Sequence, residues 1–300
     1  MATLKGMSVG AMVPVMELFA INAFEELEPM LEAPEGGLLF LQRKEGYLAP
    51  PKPPSERCSS FVVTTDETTI LAHNEHWLAG DIGNVAVVID VPDDGSVRVA
   101  SPTIVCCLPA VGTNSYGAAQ GIGSLTASDD GVGVPRVLVS RNALESMDRQ
   151  DAVARAGHRS RAGGYGHTFA FAGGDAVVIE TTGSKTAVLD DGRIHTNHYL
   201  DPELAAFGPE PSDGSLARWN RLHELLAERE PRTVPDVMDI LRDHGSSPQA
   251  ICLHPDPDEG DEASAVVFSM VAELEEGRMW VAPGTPCEHP YEEIALADLL

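Results

Sequence analysis

Residues 55–67 read SERCSSFVVTTDE and set Cys58 between the proline-rich LAPPKPPSER and a run with the β-branched texture of a strand. A cysteine kept for packing behaves as a small core hydrophobe and has no use for a chain boundary beside it. Its setting points to chemistry, and the residue types in this chain suggest three kinds. Metal binding is one: His73 and His76 in AHNEHW, His195 and His198 in IHTNHY, and Cys252 with His254 in ICLHP are spaced as ligands can be. Structural zinc sites favour CxxC with later Cys or His pairs, and zincins carry HExxH on a helix. Both HxxH pairs here stand in strand or loop texture, so no metal is expected. A second kind is a thiolate paired with a histidine base that Asn197 orients. That device usually sets its cysteine at a helix N-terminus, which lowers the thiol pKa, whereas Cys58 precedes a strand.

The third kind uses the chain boundary itself. Cleavage of the Arg57–Cys58 bond would leave Cys58 with a free α-amine, which titrates near pH ~7.7–8.0 and can take the thiol proton at neutral pH without a separate histidine. Such a site still needs donors aimed at the oxyanion, and an Asn side-chain amide is a suitable one.

The elements that must hold these residues follow from periodicity. Val13, Met16, Phe19, Ile21, Phe24 and Leu27 recur near helical spacing, which predicts a helix over 13–31. Short strands follow: CSSFVVTT, TTILAHNE, NVAVVIDV, SVRVAS, and TIVCCLPAV, the last read as a buried strand in which Cys106 and Cys107 pack. Helical spacing returns in PRVLVSRNALESM and RQDAVARAG. Strands resume in YGHTFAFAGG, DAVVIETT and KTAVLDDG. Two helices come next, SLARWNRLHELLAER with Leu216, Trp219, Leu222 and Leu226 on one face, and TVPDVMDILRDHG, where Thr233, Asp236 and Pro235 fit a capping box. SAVVFSMVAEL and RMWVAPG close as a hairpin. Strand runs separated by paired helices, without βαβ alternation, give an α+β domain with mostly antiparallel sheets.

Composition narrows the partners. The 300 residues carry 43% hydrophobic side chains, enough for a sizeable core, and 46 acids against 20 bases give a net charge of −26. Such a surface repels nucleic acid and anionic lipid and first of all serves solubility, with steering of a cationic substrate as the functional alternative. No apolar run suits a membrane span and the N-terminus does not resemble a secretory signal. The five cysteines, an odd number without a CxxC pair, read as reduced thiols in a cytoplasmic protein.

Taken in order, RCSSFVV, HNEHW, GTNSYG, DDGVGVPR, HTNHYL and ILRDHGSSPQAICLHPDP resemble the acyl-coenzyme A:6-aminopenicillanic acid acyltransferase family, also called the C45 peptidase-like family of N-terminal nucleophile hydrolases. The resemblance runs from Cys58 to Cys287. It implies a four-layer αββα sandwich, a proenzyme that cleaves itself before the cysteine, and hydrolysis or transfer of an acyl group held in amide linkage. Residues 1–57 then form a propeptide-like segment, shorter than relatives generally carry, ahead of a hydrolase domain over 58–300.

Residue by residue, the resemblance makes Cys58 the nucleophile and Arg57 the residue before the scissile bond. It makes Asn197 the oxyanion donor, with Asn74 a matched catalytic-motif position. His76 stands where many relatives carry an aspartate that pairs with the α-amine, and an imidazole cannot hold an ammonium as a carboxylate does. Trp77, Asn114 and Gly123 fall on substrate-binding positions. Gly123 replaces a second Asn, so one oxyanion donor is expected to be missing, a loss of ~10²–10³ in rate. Ser215 and Arg218 at the start of a helix resemble a recurring SxxR of the family. Bland readings stand beside these: Asn74 and Asn114 capping turns, His195 and His198 bonding their own loop, Trp219 and Trp280 in the core, Ser215 capping a helix, Arg218 on a solvated face. The function expected is a self-processing amidohydrolase or acyltransferase acting on a small N-acyl amine or amino-acid conjugate. It needs no cofactor, and acyl-coenzyme A enters at most as a co-substrate. The alternative is a degenerate member that binds a metabolite or partner without turnover, motivated by His76 and Gly123.

Overall fold

The computed structural model describes residues 2–27 and 58–296. Strand β1 (Ser59–Thr64) is buried at every position but its last, which places it in an inner layer covered on both sides. Phe61 and Val63 face helices on one side, and Val62 faces a second sheet on the other. Strand β2 (Thr69–Leu78) pairs with β1 in antiparallel register, Ser59 opposite Asn74 and Ser60 opposite His73. Its alternation is equally clear: Ile70 and Ala72 meet the helices, and Leu71 meets the opposing sheet.

The remaining strands are β3 (Val85–Asp90), β4 (Val99–Ile104), β5 (Gly112–Asn114), β6 (Ala118–Ser124), β7 (Tyr165–Phe171), β8 (Asp175–Thr181), β9 (Thr186–Leu189), β10 (Ile194–His195), β11 (Ser264–Glu273), β12 (Arg278–Ala282) and β13 (Glu292–Ala295). They form one sheet in the order β10-β1-β2-β11-β12-β13 and another that runs β3 through β9 as a meander. Every pairing between these strands is antiparallel. The predicted hairpin of β11 and β12 is present, and β11 also lies beside β2.

Helices α1 (Ala2–Ala11) and α2 (Val15–Asn22) lie near the N-terminus, with one turn at 24–27 beyond them. They replace the single helix expected over 13–31, of which 28–31 lie outside the described residues. Met12 adopts φ +56° and Pro14 carries no N–H, so the chain breaks there before α2 begins. Helices α3 (Arg136–Ala143) and α4 (Arg149–Ala156) lie outside the second sheet, where Ala143, Ala152 and Ala156 pack on Phe169, Val177 and Ile179. A short α5 (Pro202–Ala205) precedes α6 (Asp213–Arg229) and α7 (Val234–Leu241), which cover the first sheet through Leu222, Leu225, Val237 and Ile240. Layers thus run helix, sheet, sheet, helix, the αββα sandwich that the resemblance implies.

The capping box of α7 is formed as predicted: Thr233 accepts from the Asp236 N–H while the Asp236 carboxylate accepts from the Thr233 N–H. Two other readings are corrected. Ser212 caps α6, not Ser215, and Leu216 faces solvent while Leu225 takes its place in the core. The TIVCC run leaves the sheet at Ile104, because Cys106 turns through φ +75° and Cys107 follows in the turn.

Candidate active site

Cys58 sits one step before β1, and the β1–β2 register sets it beside Glu75. Its Sγ donates to Glu75 Oε1 at 3.1 Å. Glu75 Oε2 is 3.0 Å from His73 Nε2, and His73 Nδ1 is 2.9 Å from Ser60 Oγ. An ionised carboxylate only accepts, so it fixes the His73 tautomer with hydrogen on Nε2 and leaves Nδ1 to accept from the Ser60 hydroxyl. The result is a buried chain of polar groups, Cys58–Glu75–His73–Ser60, lying between the two sheets. Cys58 is 2% exposed and adopts φ +72°, a left-handed conformation that is strained for a residue with a Cβ.

Cys58 borders a cavity of about 120 Å³ whose inner wall includes Glu75, Trp77, Ile122, Tyr165 and Phe268. The N-terminal segment supplies the opposite wall through Ile21, Phe24 and Glu25. The Glu25 carboxylate accepts from Ser124 Oγ at 2.9 Å and from the Tyr165 hydroxyl, with Arg136 Nε 3.9 Å away. Glu26 takes the Arg136 N–H and Nε, each at 2.9 Å. Asn22 anchors α2 by donating to Cys106 O at 2.9 Å and accepting the Leu108 N–H at 2.6 Å.

Arg218 is buried, contrary to the solvated face expected for it. Its Nη1 donates to Cys58 O at 2.5 Å and to Ser59 Oγ at 2.9 Å, and its Nη2 donates to Asn197 Oδ1 at 3.0 Å. Asn197 is thereby joined to the Cys58 carbonyl through one guanidinium, and its Nδ2 reaches Ser124 O at 3.3 Å. Ser215, one helical turn before Arg218, accepts the Asn197 N–H at 2.8 Å and is 2.8 Å from His198 Nδ1.

His76 and Asn74 are elsewhere. Alternation along β2 turns His73, Glu75 and Trp77 toward the cavity and sends Asn74 and His76 to the helix side. Asn74 Nδ2 donates to Leu241 O and Ile251 O at 3.0 and 2.9 Å, and His76 Nε2 lies 3.1 Å from Ile251 O. Burial, reinforced by the Arg218 charge, holds the His76 imidazole well below the ordinary histidine value, so it is neutral at physiological pH. The carboxylate beside the thiol is Glu75, one residue before the position that the resemblance pointed to.

Asn114 is not at the cavity either: its amide donates to Leu144 O and Ser146 O, and its Oδ1 accepts from the Tyr116 and Ala118 N–H groups. Gly123 needs a different reading. A Cβ there would stand 2.2 Å from Thr196 O, so the residue is small because β6 and the turn after β10 touch, and no Asn side chain could occupy this backbone. Arg57 lies outside the described residues. Of the pairs weighed as metal ligands, His73 and His76 point to opposite faces of β2. His195 Nε2 bonds Glu180 Oε1 at 2.9 Å and His198 bonds Ser215. Cys252 Sγ and His254 Nε2 lie 4.0 Å apart, away from the cavity. Glu75, Ser60 and Glu25 escaped the sequence reading as site residues, whereas Arg218 was singled out through its SxxR resemblance and set on a solvated face. The period-2 pattern of LAHNEHW was the signal that could have found Glu75.

Residues 63–287 match the model of the acyl-coenzyme A:6-aminopenicillanic acid acyl-transferase family. Among solved structures, a variant of conjugated bile acid hydrolase from Clostridium perfringens is similar at 13% identity and a TM-score of 0.55, over 80% of this chain and 93% of that one. Penicillin V acylase from Agrobacterium tumefaciens is similar at 15% identity and a TM-score of 0.51, over 75% and 83%. Likeness at these identities carries the fold, the sandwich of N-terminal nucleophile hydrolases. No curated protein matches the chain.

Proposed function

The chain belongs to the acyl-coenzyme A:6-aminopenicillanic acid acyl-transferase family, and from that premise we propose that Cys58 becomes its N-terminal residue and nucleophile, acting on a small N-acyl amino acid or related conjugate. In maturation the Cys58 sulfur attacks the Arg57 carbonyl carbon and its proton passes to Glu75. The Arg57–Cys58 C–N bond breaks as the nitrogen takes a proton, and water cleaves the thioester so formed. The strained φ of Cys58 raises the energy of the uncut chain by about 1–3 kcal/mol and favours this step.

In the mature enzyme the new α-amine takes the thiol proton, the thiolate attacks the substrate amide carbon, and the amine leaves protonated. Water or an acceptor amine then releases the acyl group. Glu75 is the carboxylate in reach of the new ammonium, the role that the resemblance implied for position 76. Arg218 holds the Cys58 carbonyl and orients Asn197 toward the oxyanion. Departure of the N-terminal segment would leave the Tyr165 and Ser124 hydroxyls beside Arg136 without the Glu25 carboxylate, which supports a substrate carrying its own carboxylate. The observation that carries this reading is Cys58 on the cavity wall with its sulfur hydrogen-bonded to Glu75.

The direct test is intact mass under denaturing conditions. Wild type should yield two fragments split between Arg57 and Cys58, and Cys58→Ala should stay whole. A wild-type chain that remains whole after long incubation and yet hydrolyses N-acyl amino acids would refute the α-amine mechanism.

A further inference from the structure

On the helix side of β2, three chain segments bring four metal-binding side chains together. His244 follows α7, Cys252 and His254 precede β11, and Cys287 lies between β12 and β13. One ligand atom from each lies within 4.8 Å of all the others. The two sulfurs are 3.5 Å apart, the two Nε2 atoms 3.1 Å, and His254 Nε2 is 3.1 Å from Cys287 Sγ and 4.0 Å from Cys252 Sγ. With Zn–S near 2.3 Å and Zn–N near 2.0–2.1 Å, the edges of a tetrahedral Cys2His2 site are roughly 3.8 Å for S···S, 3.3 Å for N···N and 3.6 Å for S···N. The two S···N edges at His254 fall on either side of the ideal value, and the S···S and N···N edges are slightly shorter than theirs.

Hydrogen bonding alone accounts poorly for the cluster. His254 Nε2 faces three partners, yet a ring nitrogen offers one N–H or one lone pair and serves one of them well. A single cation among the four atoms engages all of them. Thiolate and imidazole together select zinc among the common divalent ions. Behind the cluster, Glu288 Oε2 stands 3.8 Å from the other ring nitrogen of His254 and is held by Thr285 Oγ1 at 2.9 Å, the placement of a carboxylate that backs a ligating histidine.

We propose that His244, Cys252, His254 and Cys287 bind one zinc ion in a closed, structural site. Binding displaces one proton from each thiol, so Zn²⁺ with two thiolates and two neutral imidazoles leaves the site uncharged. The ion fastens the segment after α7 to the β12–β13 connection. That segment includes the Ile251 carbonyl, which holds Asn74 and His76 at the back of the strand whose front presents Glu75 and His73 to Cys58. Cys252 and His254 stand close enough in the sequence to be weighed as a pair, but His244 and Cys287 come from distant positions that no local spacing joins to them.

The test is the metal content of the tag-free full-length chain purified without chelators. One zinc per chain is expected in wild type, with at least a tenfold drop in Cys287→Ser and in His244→Ala, both changes at exposed positions that the fold tolerates. Cobalt-substituted wild type should show the visible absorption of a tetrahedral thiolate complex, lost in Cys287→Ser, and Glu288→Gln should weaken zinc by about tenfold. The proposal is overturned if wild type incubated with excess zinc retains none while iodoacetamide labels Cys252 and Cys287 as free thiols. It is equally overturned if the native chain joins them in a disulfide, or if Cys287→Ser binds zinc as wild type does.

Discussion

A single residue decides how β2 is understood. The motif HNEHW invites attention to its fourth position, but a strand gives neighbouring side chains opposite faces, and only Glu75 can reach the Cys58 sulfur while His76 is committed to Ile251 O. Glu75→Gln should therefore lower kcat by ~10²–10⁴ and slow self-cleavage, with the thermal midpoint close to wild type. His76→Asp, which installs the residue that the resemblance led one to expect there, sets a carboxylate against a buried carbonyl. It should cost about 1–3 kcal/mol or more and bring no gain in rate. Faster maturation in His76→Asp would show that the two faces of β2 have been assigned the wrong way round. Residue types were legible here and residue directions were not, because direction depends on where the strand enters the sheet. Gly123 makes the same point: it read as a lost donor, but the contact that forbids a side chain comes from Thr196, far along the chain. His76 and Gly123 thus each have a structural reason of their own, the bond to Ile251 O and the contact with Thr196 O.

At the scale of elements, local signals were read well where a cap or a period stated them. Thr233 with Asp236 located α7, and the alternation in SAVVFSMVAEL and RMWVAPG located the β11–β12 hairpin. The N-terminal helices were less legible, because apolar spacing continues across Pro14 and only the backbone turn at Met12 divides them. Their packing against the sandwich was non-local. Leu4 and Leu18 meet Leu108, and Asn22 bonds the turn that follows β4, so α2 closes the cavity from outside the sandwich. Asn22→Ala removes two bonds to that turn and leaves a half-buried carbonyl and a buried N–H without this partner, the latter at about 1–3 kcal/mol. Amide hydrogen exchange in α2 should then quicken by one to several powers of ten while β1, β2 and β11 keep their protection. Unchanged exchange in α2 would show that its apolar contacts alone hold it over the cavity.

At the scale of the whole molecule, the antiparallel texture and paired helices were enough for an α+β sandwich, but the order of strands in each sheet was not, since β1 pairs with β10 and β2 with β11 across most of the chain. That long-range pairing buries histidines the sequence could only count. His167, on β7, lies against Gln120, which is tied in turn to Ser140 of α3. Burial, with His195 and Arg161 adding like charge, lowers its pKa to about 3. An unfolded histidine titrates near ~6.5, so the unfolded chain gains this proton before the folded one does. The resulting stability is fully present above pH ~6.5 and is lost, by up to ~1.4 kcal/mol per pH unit, as pH falls from there toward the folded value. An opposing effect acts on the same path: protonation of the acids reduces the charge of −26 and with it the self-repulsion of the compact state. Comparison of wild type with His167→Gln separates the two, because the general charge effect is common to both chains. Urea midpoints measured between pH 7 and pH 4.5 should fall more steeply for wild type, with the difference growing below pH 6.5. Parallel curves would mean that His167 takes up its proton inside the folded protein, and that the layer between β7 and α3 admits a charge.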